Sequence, residues 1–357
     1  MSMPTGTKRV AVLGVQVPFV RGGAEYLNEE LVRQINLWGQ SKNIKAELIQ
    51  LPYKWYPETQ ILSDMLAWRM LDISESNGVK VDLAIATKFP SYASSHPNLG
   101  LWLVHQHRVL YDLQGTVYDA AHLTHEQHEV RDSLRSIDKR MLEGIGARFT
   151  ISSTVTDRLQ NFCGLASSVL YPPSRLATAI YPGDYGDYIL YVGRLETIKR
   201  PNLLIEALAH CKSGRAVIAG AGAQFDELRR LAEKLGLTDR VELKGFVDDD
   251  ELLELIAGCR AIFYAPVDED FGFATIEAFH AFKPVITSDD SGEVERIVSQ
   301  TQSGWVSASS PFALAESLRE CFAESSDRLK SMASAGYELA RGITWDNVIQ
   351  NLVEPRL

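Results

Sequence analysis

Two carboxylates, Glu269 and Glu277, stand eight positions apart in the run Glu269-Asp-Phe-Gly-Phe-Ala-Thr-Ile-Glu277, just after the apolar stretch Arg260-Ala-Ile-Phe-Tyr-Ala265. The pattern predicts a buried strand ending near Pro266, a turn over Asp268 to Gly272, and a helix from Phe273 to Phe282. The free N–H groups of such a helix start favour an anion, and a carboxylate on either side can grip hydroxyls. Acids are also common at helix starts simply because they complement the dipole. The spacing alone leaves both readings open.

A second segment, Tyr188-Ile-Leu-Tyr-Val-Gly-Arg-Leu-Glu-Thr-Ile-Lys-Arg-Pro201, reads strand, turn, helix. Ile189 to Val192 is apolar, Gly193 interrupts it, and Pro201 suits a first helical position, where its missing N–H costs nothing. Arg194 and Lys199 fall in the intervening loop, where a planar guanidinium and an ammonium can neutralise a diphosphate. Two surface cations are the ordinary alternative. Their place in a strand-to-helix loop, where open α/β sheets bind ligands, favours the first reading.

These two segments, with Gly245-Phe-Val247 and Asp289-Asp-Ser-Gly-Glu-Val294, resemble the retaining glycosyltransferases of family 4, which have the two-domain GT-B fold. The resemblance is strong over residues 188–300 and weaker before about residue 170. It implies that Arg194 and Lys199 hold the donor diphosphate, that Glu277 binds ribose hydroxyls, and that Glu269 contacts the donor sugar. Backbone amides of Phe271, Gly272, Phe273, Ala274 and Thr275 would meet the sugar and the distal phosphate. Val247 would present its backbone to the base and Gly220 would wall the nucleotide. No residue identifies a covalent nucleophile, so front-face displacement with retention is the expected course, and Glu269 is expected to position rather than attack. The catalytic set implied is Glu269, His105, Arg194 and Lys199.

In the first half, Val17-Pro-Phe-Val-Arg-Gly-Gly-Ala-Glu25 follows a strand and leads into a helix. A Gly-Gly turn lets backbone approach a phosphate, although most such turns are only turns, and the Gly-x-Gly-x-x-Gly dinucleotide pattern is absent. The resemblance implies that Gly22 and Gly23 close over the diphosphate and that Arg21 lies near the acceptor. His105 and His107 end a strand; His105 best matches the family position facing the donor sugar, with His107 in reserve and on the acceptor side. A metal reading that adds His122, His125 and His128 is open because His125 and His128 share a helix face, yet no Glu separates two histidines as in a metalloprotease, and solvated histidines are commoner. No metal or other cofactor is expected.

Strand-like and helical runs alternate along the 357 residues, which predicts α/β architecture with parallel sheets. Strands are expected at Arg9–Val15, Ala46–Leu51, Leu83–Ala86, Gly100–His105 and Arg148–Ile151. In the second half they are expected at Ile189–Val192, Arg215–Ala219, Val241–Leu243, Ala261–Tyr264 and Pro284–Thr287. The turn-rich stretch from Tyr171 to Asp187 reads as a linker. The expected division is an acceptor-binding Rossmann-like domain over 1–172, a nucleotide-sugar-binding one over 173–341, facing it across a cleft, and a C-terminal helix over 342–357 returning to the first. Thr344 is a plausible cap for that helix.

The charge is uneven: residues 1–173 hold 17 basic and 17 acidic side chains, residues 174–357 hold 19 and 29. An acidic second half argues against general nucleic-acid binding. No apolar run reaches a membrane-spanning length. The Lys8–Val17 start reads as a first buried strand rather than a signal peptide. Four well-separated cysteines without a Cys-x-x-Cys pair read as buried thiols of a cytoplasmic protein. The exposed-looking aromatics of Tyr53-Lys-Trp-Tyr56 suit sugar stacking or a lipid-facing groove.

The expected partners are therefore a nucleotide-sugar donor, UDP-linked or GDP-mannose, and a glycan or lipid-linked acceptor, with no nucleic acid and with peripheral membrane contact as an accessory. Other GT-B activities, a sugar-nucleotide epimerase or a phosphorylase, and a non-catalytic nucleotide-binding scaffold are the alternatives; no pyridoxal-phosphate lysine motif supports the phosphorylase.

Overall fold

Runs such as Leu83-Ala-Ile-Ala86 and Ala261-Ile-Phe263 show no polar alternation, the mark of strands covered on both faces. In the structure, a computed structural model that describes residues 6–19, 22–119 and 124–357, both are wholly buried strands. The chain divides into two compact units, one of residues 1–175 with 344–357 and one of residues 176–343.

The first unit contains β1 (Lys8–Gln16), β2 (Ile44–Pro52), β3 (Glu75–Ser76), β4 (Val79–Lys80), β5 (Leu83–Ala86), β6 (Leu99–Leu103), β7 (Ala147–Thr150) and β8 (Ser168–Val169). Six of these form a parallel sheet in the order β2-β1-β5-β6-β7-β8, while β3 and β4 make a small antiparallel hairpin. The second unit contains β9 (Tyr188–Val192), β10 (Arg215–Ala219), β11 (Val241–Gly245), β12 (Ala261–Phe263), β13 (Val285–Ser288) and β14 (Gly304–Ser307). Its six strands are also parallel, in the order β11-β10-β9-β12-β13-β14.

Each sheet reverses its winding once, between β1 and β5 in the first unit and between β9 and β12 in the second. At such a reversal the loops leaving the two adjacent strands splay apart, which leaves a crevice at their carboxyl ends where α/β proteins bind ligands. The expected strands are all present, with ends no more than two residues from those expected. The added ones lack a strong apolar signal: β8 and the hairpin are exposed two-residue strands, and β14 is only half-buried.

The last helix, Trp345–Leu352, begins at Thr344, whose hydroxyl accepts from the Asn347 amide, and it packs within the first unit. The Trp345 ring meets Trp102 edge-on at 6.1 Å, and Asn98 Nδ2 donates to the Arg356 carbonyl at 3.0 Å. All four cysteines are buried free thiols.

Candidate active site

At the switch point of the second unit, β9 runs into Gly193 and Arg194, then a single 3-10 turn, Thr197–Lys199, and the helix Pro201–Ala209. Strand β12 runs into Tyr264 and the Pro266–Phe271 loop, then the helix Phe273–His280. The ammonium of Lys199 donates to Glu269 Oε2, so two residues predicted from separate motifs meet directly. Both side chains are mostly buried, at 16% and 14% exposure, where an ion pair is less screened than at the surface. Tyr264, buried at the end of β12, also bonds Glu269; burial first and the adjacent Glu269 carboxylate second hold its phenol well above the ordinary range.

Arg194 is differently placed. Its Nη1 donates to Glu196 at 2.8 Å and its side chain is half exposed, while its field reaches Tyr264. The Tyr191 hydroxyl donates to the Arg194 carbonyl at 3.0 Å and so fixes the backbone beneath the guanidinium.

The Glu269 loop is clamped from the side of β13. Asp268 N donates to the Asp290 carbonyl at 2.8 Å, Glu269 N to Ser291 O at 3.3 Å, and Glu293 N to Glu269 O at 3.0 Å. Gly292 is required there: at φ +62 it turns so closely that a Cβ would lie 2.6 Å from the Glu269 amide nitrogen.

Gly272 caps the helix start at φ +82 without a side-chain bond to the first turn, and Phe273, Ala274 and Thr275 are its first three residues. The amides of Phe273 and Ala274 are among those that lack intrahelical partners, while the Thr275 amide donates to the Gly272 carbonyl at 2.9 Å. Thr275 is fully buried and its hydroxyl has no hydrogen-bond partner among the described residues. An orphan hydroxyl at an uncapped helix start suits a polar ligand. Glu277, at 9% exposure, sits one turn further on, and Phe271 packs edge-on against Phe273 with ring centres 5.1 Å apart.

The loops after β9, β10 and β11 approach backbone to backbone. A Cβ on Gly220 would fall 1.8 Å from the Gly193 carbonyl oxygen, and Gly220 N donates to Gly245 O at 2.7 Å. Val247 follows, half-buried, just before Asp248 caps the next helix by accepting from the Glu251 amide.

In the first unit, Gly22 caps the helix Gly23–Gly39 and its amide donates to Glu25 Oε2 at 2.8 Å, so this amide is taken by a carboxylate of the chain. Glu25 Oε1 also lies 3.9 Å from Lys88 Nζ, a looser cation–acid pair at that unit's own switch point. Arg21 and His122 lie outside the described residues. His105 is half-buried with Nδ1 2.6 Å from the Gln106 carbonyl. His107 stacks on Phe89 with ring centres 5.5 Å apart, and its Nδ1 is 3.2 Å from the Tyr53 hydroxyl. Burial holds the His107 imidazole down at about 4, assisted by the Arg131 charge. Tyr53 itself is buried, which corrects the expectation of an exposed aromatic, whereas Trp55 and Tyr56 are exposed. Gln106 points inward between the two histidines and donates to Asp138 Oδ2 at 3.1 Å. His125 is exposed beside Glu129, and among the described residues no group of three His, Cys, Asp or Glu side chains converges to hold a metal.

Sequence reasoning missed Arg200, Tyr264 and Asp138. Tyr264 was legible as a polar-tipped aromatic at a strand's carboxyl end. Arg200 and Asp138 carry no local signal, because what they bind is distant in sequence.

Residues 183–339 match the family model of the glycosyl transferases group 1. An uncharacterized glycosyltransferase of Methanocaldococcus jannaschii is 30% identical over 168 residues, 46% of this chain and 43% of that protein. The matched region spans less than half the length of that relative. Among solved structures, the sucrose-phosphate synthase of Thermosynechococcus elongatus superposes with a TM-score of 0.73 at 17% identity, over 96% of this chain and 97% of that one. Anabaena HepE, in complex with UDP and glucose, superposes with a TM-score of 0.66 at 18% identity, over 97% and 95%. Over residues 183–339 the chain is thus similar to the group 1 glycosyl transferases, and its fold is the GT-B fold of these solved structures.

Proposed function

We propose that the protein transfers a hexosyl group, with retention, from a nucleoside-diphosphate sugar to a glycan or lipid-linked acceptor. The observation that carries this reading is the Lys199–Glu269 pair beside the uncapped start of the helix Phe273–His280. When the glycosyl–phosphate bond breaks, negative charge grows on the diphosphate and positive charge on the sugar. Lys199 and Arg194 supply positive charge for the first, and the amides of Phe273 and Ala274 supply oriented donors. Glu269 and Glu277 accept from sugar and ribose hydroxyls. His105 serves the donor sugar, and Gly22, Gly23, Arg21 and His107 belong to the donor and acceptor sides of the first unit.

In this reading the departing phosphate takes the acceptor proton, so the transfer needs neither a divalent metal nor a covalent enzyme intermediate. A UDP-sugar is the preferred donor, since HepE, of like fold, was solved with UDP and glucose; GDP-mannose is the other. Synthesis of a surface polysaccharide or glycoconjugate fits such a transfer, by a cytoplasmic enzyme that touches the membrane face where lipid-linked acceptors lie. No helix among the described residues is long and apolar enough to cross a membrane.

Incubation with a panel of nucleotide sugars tests the reading. Slow nucleotide release without acceptor, undiminished by a chelator, is expected. Interconversion of the sugars would indicate an epimerase instead, and no binding or turnover of any donor would leave a scaffold.

A further inference from the structure

Arg200 follows Lys199 directly and adopts φ +49, the left-handed region that ordinarily suits glycine. A long, branched-fork side chain held in that conformation persists where the surroundings over-determine it. Here they do. Arg200 Nε donates to the Ala265 carbonyl at 2.8 Å and Nη2 to the Pro266 carbonyl at 2.9 Å, both on the loop leaving β12. Nη2 also donates to Ser288 Oγ at 2.9 Å at the end of β13. The fork closes on Asp290, Nη1 to Oδ2 at 2.8 Å and Nη2 to Oδ1 at 2.6 Å. One guanidinium therefore ties together the loops that leave β9, β12 and β13.

The ties converge on Glu269. Val267 N donates to the Ile198 carbonyl at 2.9 Å, immediately before Lys199, and the amides of Asp268 and Glu269 donate to the Asp290 and Ser291 carbonyls. Ser288 Oγ, besides accepting from Arg200, lies 2.8 Å from Ser291 Oγ and donates to Asp290 Oδ1 at 2.8 Å. Asp268 is itself at φ +43, so the loop is bent against its own backbone preference on both sides of the bond network. Burial would raise the Asp290 carboxyl, but its bonds from Arg200 and Ser288 outweigh this and hold it below its ordinary value.

We infer that Arg200 is a positioning residue: by its fork on Asp290 and its bonds to Ala265, Pro266 and Ser288 it fixes the Glu269 loop in register with Lys199, and so sets recognition of the sugar rather than of the nucleotide. The inference rests on the donor reading above for its functional half only. Arg200 touches neither Lys199 nor Glu269 through its guanidinium bonds, so its effect passes through the loop. Lysine cannot replace it, because an ammonium lacks the planar fork that serves two carbonyls and a carboxylate together.

Arg200→Gly is the informative variant, since glycine accepts the left-handed backbone; Ser288→Ala removes the hydroxyl that meets Arg200, Asp290 and Ser291 in the same network. Hydrogen exchange on the protein alone is the first measurement. Faster exchange at the amides of Val267, Asp268 and Glu269 in both variants, with those of β9 and β12 unchanged, is expected; unchanged exchange at the three loop amides overturns the inference. Binding of UDP and of UDP-glucose is the second. Arg200→Gly and Arg200→Lys should keep UDP affinity within about twofold while kcat/KM for UDP-glucose falls about 10²-fold, the size of effect that a misplacement of about 1 Å produces. Equal losses of UDP and UDP-glucose binding would mark Arg200 as merely structural and overturn it. Failure of the donor reading looks different: Lys199→Ala and Glu269→Gln would then leave both affinities unchanged while the exchange result still stands or falls by itself.

Discussion

The Lys199 ammonium donates to Glu269 Oε2 across the β9/β12 switch point, joining two residues 70 positions apart. In the proposed donor site this pair is a resting arrangement: the ammonium can turn to an incoming diphosphate, and the carboxylate it leaves is free to take a sugar hydroxyl while Tyr264 keeps it in place.

Replacing Lys199 by alanine should therefore lower nucleotide release from UDP-glucose by about 10²–10³-fold, the usual effect of losing a preorganised charge donor. Arginine at 199 should restore little, because its longer planar fork cannot reproduce a point donor in a mostly buried position. Retention of more than half the activity in Lys199→Ala would contradict the role.

Gly272→Ala tests the helix start independently of chemistry. The new Cβ would lie 2.5 Å from Val294 Cγ2 on a backbone at φ +82. Conformational cost and clash together should destabilise the second unit by about 1–3 kcal/mol, read as a lower midpoint in urea. An unchanged midpoint would show that the turn relaxes freely.

His107 should make stability depend on acid. Its folded value, about 4, lies below the ordinary 6.5, so the unfolded chain binds a proton first. The contribution of its neutral form is complete above pH 6.5 and is lost as the pH falls toward 4. His280, also lowered by burial, acts in the same direction, so the measurement is a difference. Stability of the His107→Gln variant should fall less steeply than that of the parent between pH 6.5 and about 4; parallel curves would refute the assignment.

Asp138 should be among the costliest positions in the first unit. Its fully buried carboxyl accepts from the Tyr92 hydroxyl at 2.5 Å, the Tyr111 hydroxyl at 2.6 Å and Gln106 Nε2 at 3.1 Å, while burial raises its proton affinity. Asn at 138 offers one acceptor where three donors converge and should cost about 3 kcal/mol, whereas Tyr92→Phe, which removes one donor, should cost about 1 kcal/mol. Thermal unfolding distinguishes them, and equal losses would argue against a shared acceptor.

The two αβ alternations, the strand ends at Leu83–Ala86 and Arg215–Ala219, the placement of Lys199 and Glu269 in strand-to-helix loops, and the Thr344 cap were legible because each depends on local pattern: apolar runs, a glycine break, a cap. The direct pairing of Lys199 with Glu269 was not readable from spacing, since the two stand 70 positions apart. Tyr53 was misread because its neighbours Lys54, Trp55 and Tyr56 suggest an exposed loop, while its ring is covered by Phe89 and His107 from elsewhere in the chain.

By itself, then, the sequence determined the class of architecture and which loops carry charge, because hydrophobic periodicity and turn chemistry act over a few residues. Only the tertiary structure decided that Glu25 takes the Gly22 amide, that Arg200 locks three loops to Asp290, and that Asp138 gathers two tyrosines and a glutamine. Strand order brings those partners together, and strand order is fixed by how buried faces pack, a property of the whole sheet rather than of any segment.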